Sequence, residues 1–479
     1  MRPLTATRPV VLAVCLAFCA SAAFAQEGQG SGEVQSMLRT ASALLPGIDK
    51  AQQPSVAANI AGAQIRVGDL EGALASMQAV EDAKQRDLAL NSVAWGLASQ
   101  GNASLALDVI RQSPPENDSG KASAYRSVAI QLAEKGSFDQ ALSVAGLIGK
   151  GATYVGRSSL YVEVLLQIHA KQWAAGDTAG AENTLNLALD VADREEKNPS
   201  SREFAEFTTA AMFSNIAKEL AKEGQSNAAF VMVERIYSLL AQAETAGRSE
   251  GVLSLLATTQ ANIGDFPSAV STSERLPAGQ ERDEVTMVIA MERARLGDPL
   301  GALDETLGLP AQPWRNSSLR VIADAVAASG DYTQALSTID KIQGAGERAY
   351  GLAELALEQA KKNDPAAALT VELAWEAAMN AQGETEPYVF GFIAVTRGIL
   401  GNFGGALEVV SRLEGAERAW PLQNLTMMLV HAGKKEEAVA LAESEEMPQA
   451  RACALLGVAN QLIEEEREAA KKRAGAATI

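Results

Sequence analysis

The sequence predicts an all-α solenoid of tandem helical hairpins, and three observations carry that expectation. Hydrophobic residues make up 47% of the 479 positions but aromatics only 5%. The apolar content is therefore mostly Ala, Leu and Val, which suits closely packed helices. A glycine corner recurs at Gly68, Gly101, Gly136, Gly176, Gly224, Gly264, Gly297, Gly330, Gly401 and Gly433, with Asn363 in the same place. Five residues after every corner stands an alanine, from Ala73 and Ala106 to Ala406 and Ala438. Successive corners lie 32 to 48 residues apart, the length of a two-helix unit.

The elements follow in order. Arg2 and Arg8 precede an apolar run from Val10 to Ala20, and Ala23-Phe24-Ala25 supplies the small-x-small pattern of a signal-peptidase site. A signal peptide over 1–25, cut after Ala25, predicts a periplasmic or secreted protein. An uncleaved anchor is the alternative, but the run is shorter than the ~20 residues a span needs. Val14 and Phe18 precede Cys15 and Cys19, where lipid attachment wants a small residue. No later segment is long and apolar enough to span, so none is expected after cleavage. Losing the leader leaves Cys453 as the one thiol, in the apolar stretch Ala452 to Leu456. A small buried hydrophobe explains it more simply than a reactive group.

Residues 26–32, rich in Gly, Ser and Gln, read as a disordered linker. The solenoid then covers 33–472. It opens with a helix from Glu33 to Leu45 and continues with hairpins starting near Gln53, Arg86, Lys121, Arg157, Arg202, Arg248, Arg282, Trp314, Glu347, Glu386 and Glu417. A last helix over 449–472 becomes strongly charged at Glu464, Glu465, Glu466, Arg467 and Glu468, as expected of a water-facing terminal cap. Residues 473–479 read as a disordered tail.

Each corner has its own chemistry. Glycine takes the left-handed conformation that ends a helix. Asp69, Asn102, Asp177, Asp265, Asp298, Asp331, Asp364 and Asn402 follow it, where a side-chain oxygen can cap the next helix. Pro299 and Pro365 come next, at the helical position that tolerates proline. Seven residues before the corners a second small residue recurs (Ala94, Ala129, Ala217, Ala257, Ala290, Ala323, Ala356, Ala394), with His169 and Thr426 as exceptions and Ala459 in the last helix. Two close-approach points on facing helices result.

On these residues the chain resembles the tetratricopeptide repeat. Gly136-Ser137-Phe138-Asp139-Gln140-Ala141-Leu142, Gly330-Asp331-Tyr332-Thr333-Gln334-Ala335-Leu336 and Gly401-Asn402-Phe403-Gly404-Gly405-Ala406-Leu407 match it best. The resemblance runs from about residue 53 to about 460. It departs in a commonest unit of 33 residues, in the first-helix Trp missing from most units and in a mostly absent terminal proline. It implies a right-handed TPR-like superhelical solenoid of about eleven hairpins plus terminal helices, and a protein-interaction scaffold with no implied activity.

Chemistry-bearing constellations are sparse. The net charge of −18 becomes −20 once the leader's two arginines are removed, and such a surface repels phosphate backbones and anionic headgroups, so nucleic acid is a poor partner. His169 and His431 fall inside predicted helices, where packing or capping explains them. No metal set, cofactor loop or catalytic triad assembles from these residues, so no catalytic, cofactor-binding or metal residue is assigned.

Two features admit a partner-binding reading. A cation recurs eight positions before the small residue, as Arg86, Lys121, Arg282, Arg315, Arg348, Arg418 and Arg451. It forms either a structural ladder to a neighbour's carboxylates or carbonyls, or a basic stripe that captures an acidic segment. Stretched corner spacing between Gly136 and Gly224 accompanies Phe204, Phe207, Phe213, Phe230 and Tyr237, which either fill a wider joint or line an exposed groove. The expected function is an exported, non-catalytic scaffold for a protein or peptide in a bacterial envelope, Arg282, Arg315, Arg348, Phe204 and Phe207 being the candidate contacts. The alternative is an accessory subunit of an envelope enzyme or outer-membrane assembly complex. A glycosidase using paired carboxylates stands third.

Overall fold

The computed structural model describes residues 32–476 apart from 81, 83–85, 113–117, 150–156, 200–202, 310–313 and 382–384. The expected signal peptide, the linker up to residue 31 and tail residues 477–479 lie outside the described residues.

Every described element is helical. Helix α1 (Gly32–Ala43) stands before eleven hairpins: α2 (Gln53–Arg66) with α3 (Leu70–Gln78), α4 (Arg86–Ser99) with α5 (Ala103–Gln112), α6 (Asp118–Glu134) with α7 (Phe138–Gly149), and α8 (Arg157–Ala174) with α9 (Thr178–Lys197). Next come α10 (Ala205–Lys222) with α11 (Ser226–Thr245), α12 (Glu250–Asn262) with α13 (Phe266–Ser273), α14 (Gln280–Arg295) with α15 (Pro299–Leu307), and α16 (Trp314–Ala328) with α17 (Tyr332–Ile339). Then follow α18 (Ala345–Lys361) with α19 (Ala367–Asn380), α20 (Pro387–Ile399) with α21 (Phe403–Val410), α22 (Ala419–His431) with α23 (Lys435–Ser444), and the long α24 (Pro448–Ala476). This is a TPR-like α-solenoid.

The corners form for the reason their residues suggest. All eleven are left-handed, Asn363 (φ 56°) being the one that is not glycine. At the first, Gly68 N–H donates to Ile65 O and Asp69 N–H to Gln64 O, a Schellman closure that satisfies the last carbonyls of α2. Asp69, Asp177, Asp265, Asp298, Asp331 and Asn402 then accept a backbone N–H three residues on, capping the second helix. Asp364 instead accepts from Ala366 N–H at 2.8 Å. With this turn α19 starts four positions after its corner instead of two, and its buried alanine is Ala367 while the expected Ala368 faces water.

Small residues let the helices close on one another. The other ten corner alanines are fully buried, and the positions seven before the corners, including His169 and Thr426, are 3% exposed or less. Between α22 and α24 the approach is closest. Thr426 Oγ1 donates to Ala454 O at 2.9 Å, and a Cβ on Gly457 would collide with Gln423 O.

Successive first helices of the hairpins pack directly on one another, whereas successive second helices do not pack closely. Nothing in the residue pattern marks where that row of first helices goes. It returns to its start, because α24 packs on α22 on one side and on α2 on the other. Helix α1 lies against α24 as the second helix of a twelfth unit whose halves are the two ends of the solenoid. Val34, Leu38, Ala63, Val67, Leu456, Ala459 and Ile463 form one buried cluster at this seam. Lys435 Nζ meets Glu33 Oε1 at 3.0 Å, and Arg66 donates to Asn460 Oδ1. The water-facing cap expected of the last helix is thus corrected over residues 450–463, which are covered on both flanks.

Candidate functional site

Each first helix is covered on three sides, by its own second helix and by its two neighbours. The remaining stripe faces the inside of the circuit. In α16 that stripe is Ser317, Arg320, Val321, Asp324 and Ala328, while Leu319, Ile322, Ala323 and Val326 are buried. The same register places Tyr350, Tyr388 and Trp420 on the inner stripes of α18, α20 and α22, each thirteen residues before its corner.

These aromatics form a row across three adjacent units. The rings of Tyr350 and Tyr388 meet edge to face at 4.9 Å, Tyr350 and Phe392 stack at 5.8 Å, and Phe392 meets Trp420 edge to face at 5.4 Å. Tyr350 and Phe392 are buried; Tyr388 and Trp420 are half-buried. The Trp420 indole lies over Gly391, where any Cβ would come within 3.0 Å of the ring. Glycine at 391 is thus what seats the tryptophan.

Charged groups border the row on the α16 side. The Arg320 guanidinium lies 4.0 Å from the Tyr350 ring centre, bonds Glu354 Oε2 at 3.2 Å and reaches Glu347 at 4.0 Å. Burial raises the Glu354 carboxyl pKa. Asp324 is exposed on this stripe, but the protein packed around it still desolvates its carboxyl; that desolvation first, and then the Glu354 charge, push it up to about 8. Burial likewise lifts the Tyr388 hydroxyl to about 12. The site can therefore stack apolar groups and attract cations.

The residues singled out by sequence stand elsewhere. Arg282 donates to Glu274 O at 2.7 Å and to Leu276 O, and Arg315 to Leu307 O and Leu309 O at 3.0 and 2.5 Å. Both satisfy carbonyls that end the preceding helix, the structural one of the two readings. Arg86 does the same at Val80 O, 2.6 Å, and Arg418 pairs with Glu445 at 2.6 Å. Arg348 is half-exposed, and its side chain makes no hydrogen bond or ion pair among the described residues.

Phe204 and Phe207 are 49% and 47% exposed at the start of α10, with the Phe207 ring beside Gly251 of the next unit. Phe213 is fully buried beneath Arg235, and Phe230 and Tyr237 project from the second helix α11. The five aromatics therefore divide between core, inner layer and outer layer and line no single groove. His169 is packed between Ala181 O (2.8 Å from Nδ1) and Glu223 Oε1 (2.5 Å from Nε2), joining two units.

Among the described residues no group of three His, Cys, Asp or Glu side chains could hold a metal, and no helix is long and apolar enough to cross a membrane. No protein-family model and no curated protein matches the sequence. Among solved structures, Ton1535 from Thermococcus onnurineus NA1 is similar at 20% identity over 68% of this chain and 96% of its own, with a TM-score of 0.30. The APC/C hetero-tetramer Cut9-Hcn1 is similar at 11% identity over 82% of this chain and 92% of the matched one, with a TM-score of 0.19. At such agreement neither bears on function, and the TPR-like assignment stands on the hairpins themselves.

Proposed function

We propose that the chain is an exported, non-catalytic scaffold of the bacterial cell envelope that holds a protein or peptide partner against the inner face of its helical circuit. The observation that carries this reading is the half-open aromatic row of Tyr350, Tyr388 and Trp420, repeated at one register in three consecutive units. Aromatic anchors on a rigid concave surface favour binding of an extended chain. The accessory-subunit alternative, docking by the last helix, has less support, since α1, α2 and α22 cover the first half of α24. A photo-crosslinking residue at Trp420, compared with one at the outward Leu369, 68% exposed, tests the scaffold in intact cells. A defined partner should attach at Trp420 and not at Leu369; equal labelling at both would remove the proposal. Amino-terminal sequencing from the envelope fraction should begin at Gln26.

A further inference from the structure

The same surface indicates the chemistry of its occupant, an inference that rests on the scaffold reading. We propose that the inner face of α16, α18, α20 and α22 binds a positively charged segment of a partner chain. Its lysine or arginine heads meet Asp324 and Glu347, and its aliphatic stems lie on Tyr388 and Trp420.

Charge complementarity selects this occupant. Arg320 is already shared between Glu354 and Glu347, and Glu358 is held by Lys362 at 3.3 Å. Lys361 is the further cation near Asp324. Against these, Asp324 and Glu386 form no ion pair among the described residues, and Glu347, 45% exposed at its side chain, has only the 4.0 Å contact. Carboxylate is therefore in surplus beside two half-open aromatic rings, and aromatic faces attract cations as carboxylates do. Arg320 shows the arrangement in miniature, since a guanidinium of the chain itself already sits on Tyr350 against Glu354. The raised carboxyls agree, because an added cation relieves the mutual repulsion of Asp324 and Glu354. An acidic segment would meet like charge at the same place.

Fluorescence anisotropy of the full mature chain with three labelled peptides tests the inference: one of Lys, Leu and Ser, and two with every Lys changed to Gln or to Glu. The lysine peptide should bind at least about tenfold tighter than either. Glu347→Gln and Asp324→Asn together, or Trp420→Leu alone, should weaken it about three- to tenfold, while Leu369→Ala leaves it unchanged. Thermal melting verifies that each variant is folded. Raising the pH from about 6.5 to about 9 should tighten binding, since Asp324 loses its proton while lysine keeps its own. No binding of the lysine peptide, equal binding of all three, or binding indifferent to these variants overturns the inference. An acidic partner crosslinked at Trp420 would overturn it while leaving the scaffold intact; failure to label Trp420 above Leu369 would remove the scaffold itself.

Discussion

At a corner of this solenoid one residue stops a helix and the next starts another, so side-chain chemistry there acts on two helices at once. Asp331 accepts from Gln334 N–H at 3.0 Å. Asp331→Ala should therefore cost about 1 kcal/mol, read as a shift in the urea midpoint. Gly401, at φ 77°, has room for a Cβ but the wrong backbone for one; Gly401→Ala should cost about 1–2 kcal/mol, whereas Asn363→Gly should change stability by only tenths. Asp324 carries a different prediction. Its folded pKa lies above the unfolded value of about 3.9, so the folded state holds the proton more tightly and stability falls as pH rises from that value towards about 8. Asp324→Asn should thus raise Tm at pH near 8 and change it little near pH 4; an equal effect at both would refute the assignment.

At the scale of elements, what could be read from sequence was what is local. Corner, cap and small residue lie within a dozen positions of one another, so the hairpin starts at Gln53, Arg86, Arg157 and Trp314 fall where the sequence places them. The aromatic row was not legible in the same way. Tyr350, Tyr388 and Trp420 differ in type and spacing, and their kinship appears only when each is counted back from its own corner. The arginine ladder could be seen but not assigned, because its acceptors at Leu276 O and Leu309 O are backbone atoms with no signature in sequence. Helix α1 has no corner at all, and its partner α24 lies some four hundred residues away. Its buried face, Val34, Leu38 and Ala41, nevertheless has the spacing of Ala335 and Ile339 in α17 and Ile342 just beyond its end. Leu38→Ala should cost about 2–5 kcal/mol at the seam. Hydrogen exchange should then quicken in α2 and in 450–463 but not in α10 to α13.

For the whole molecule, closure changes what kind of solenoid this is. An open array has two end units, each with one face short of a neighbour, and needs capping repeats to shield them. Here the twelve first helices among the described residues form a circuit and each has two neighbours. If that circuit is circular, helices about 10 Å apart give a diameter of about 40 Å, which limits how bulky a partner the inner face can surround. Closure also ties the curvature at the aromatic row to the seam, because a ring cannot open at one place and keep its shape at another. Removing residues up to Ala43 strips the apolar cover from Leu456, Ala459 and Ile463. The expected result is an open arc with a longer maximum dimension in small-angle X-ray scattering, a lower Tm, and weaker binding at Trp420 although no residue near it has changed. Adding back the α1 segment as a separate peptide should reverse all three, since the groove between α24 and α2 that it fills remains. A truncated chain with unaltered dimensions and melting would mean that α24 and α2 hold the circuit without α1.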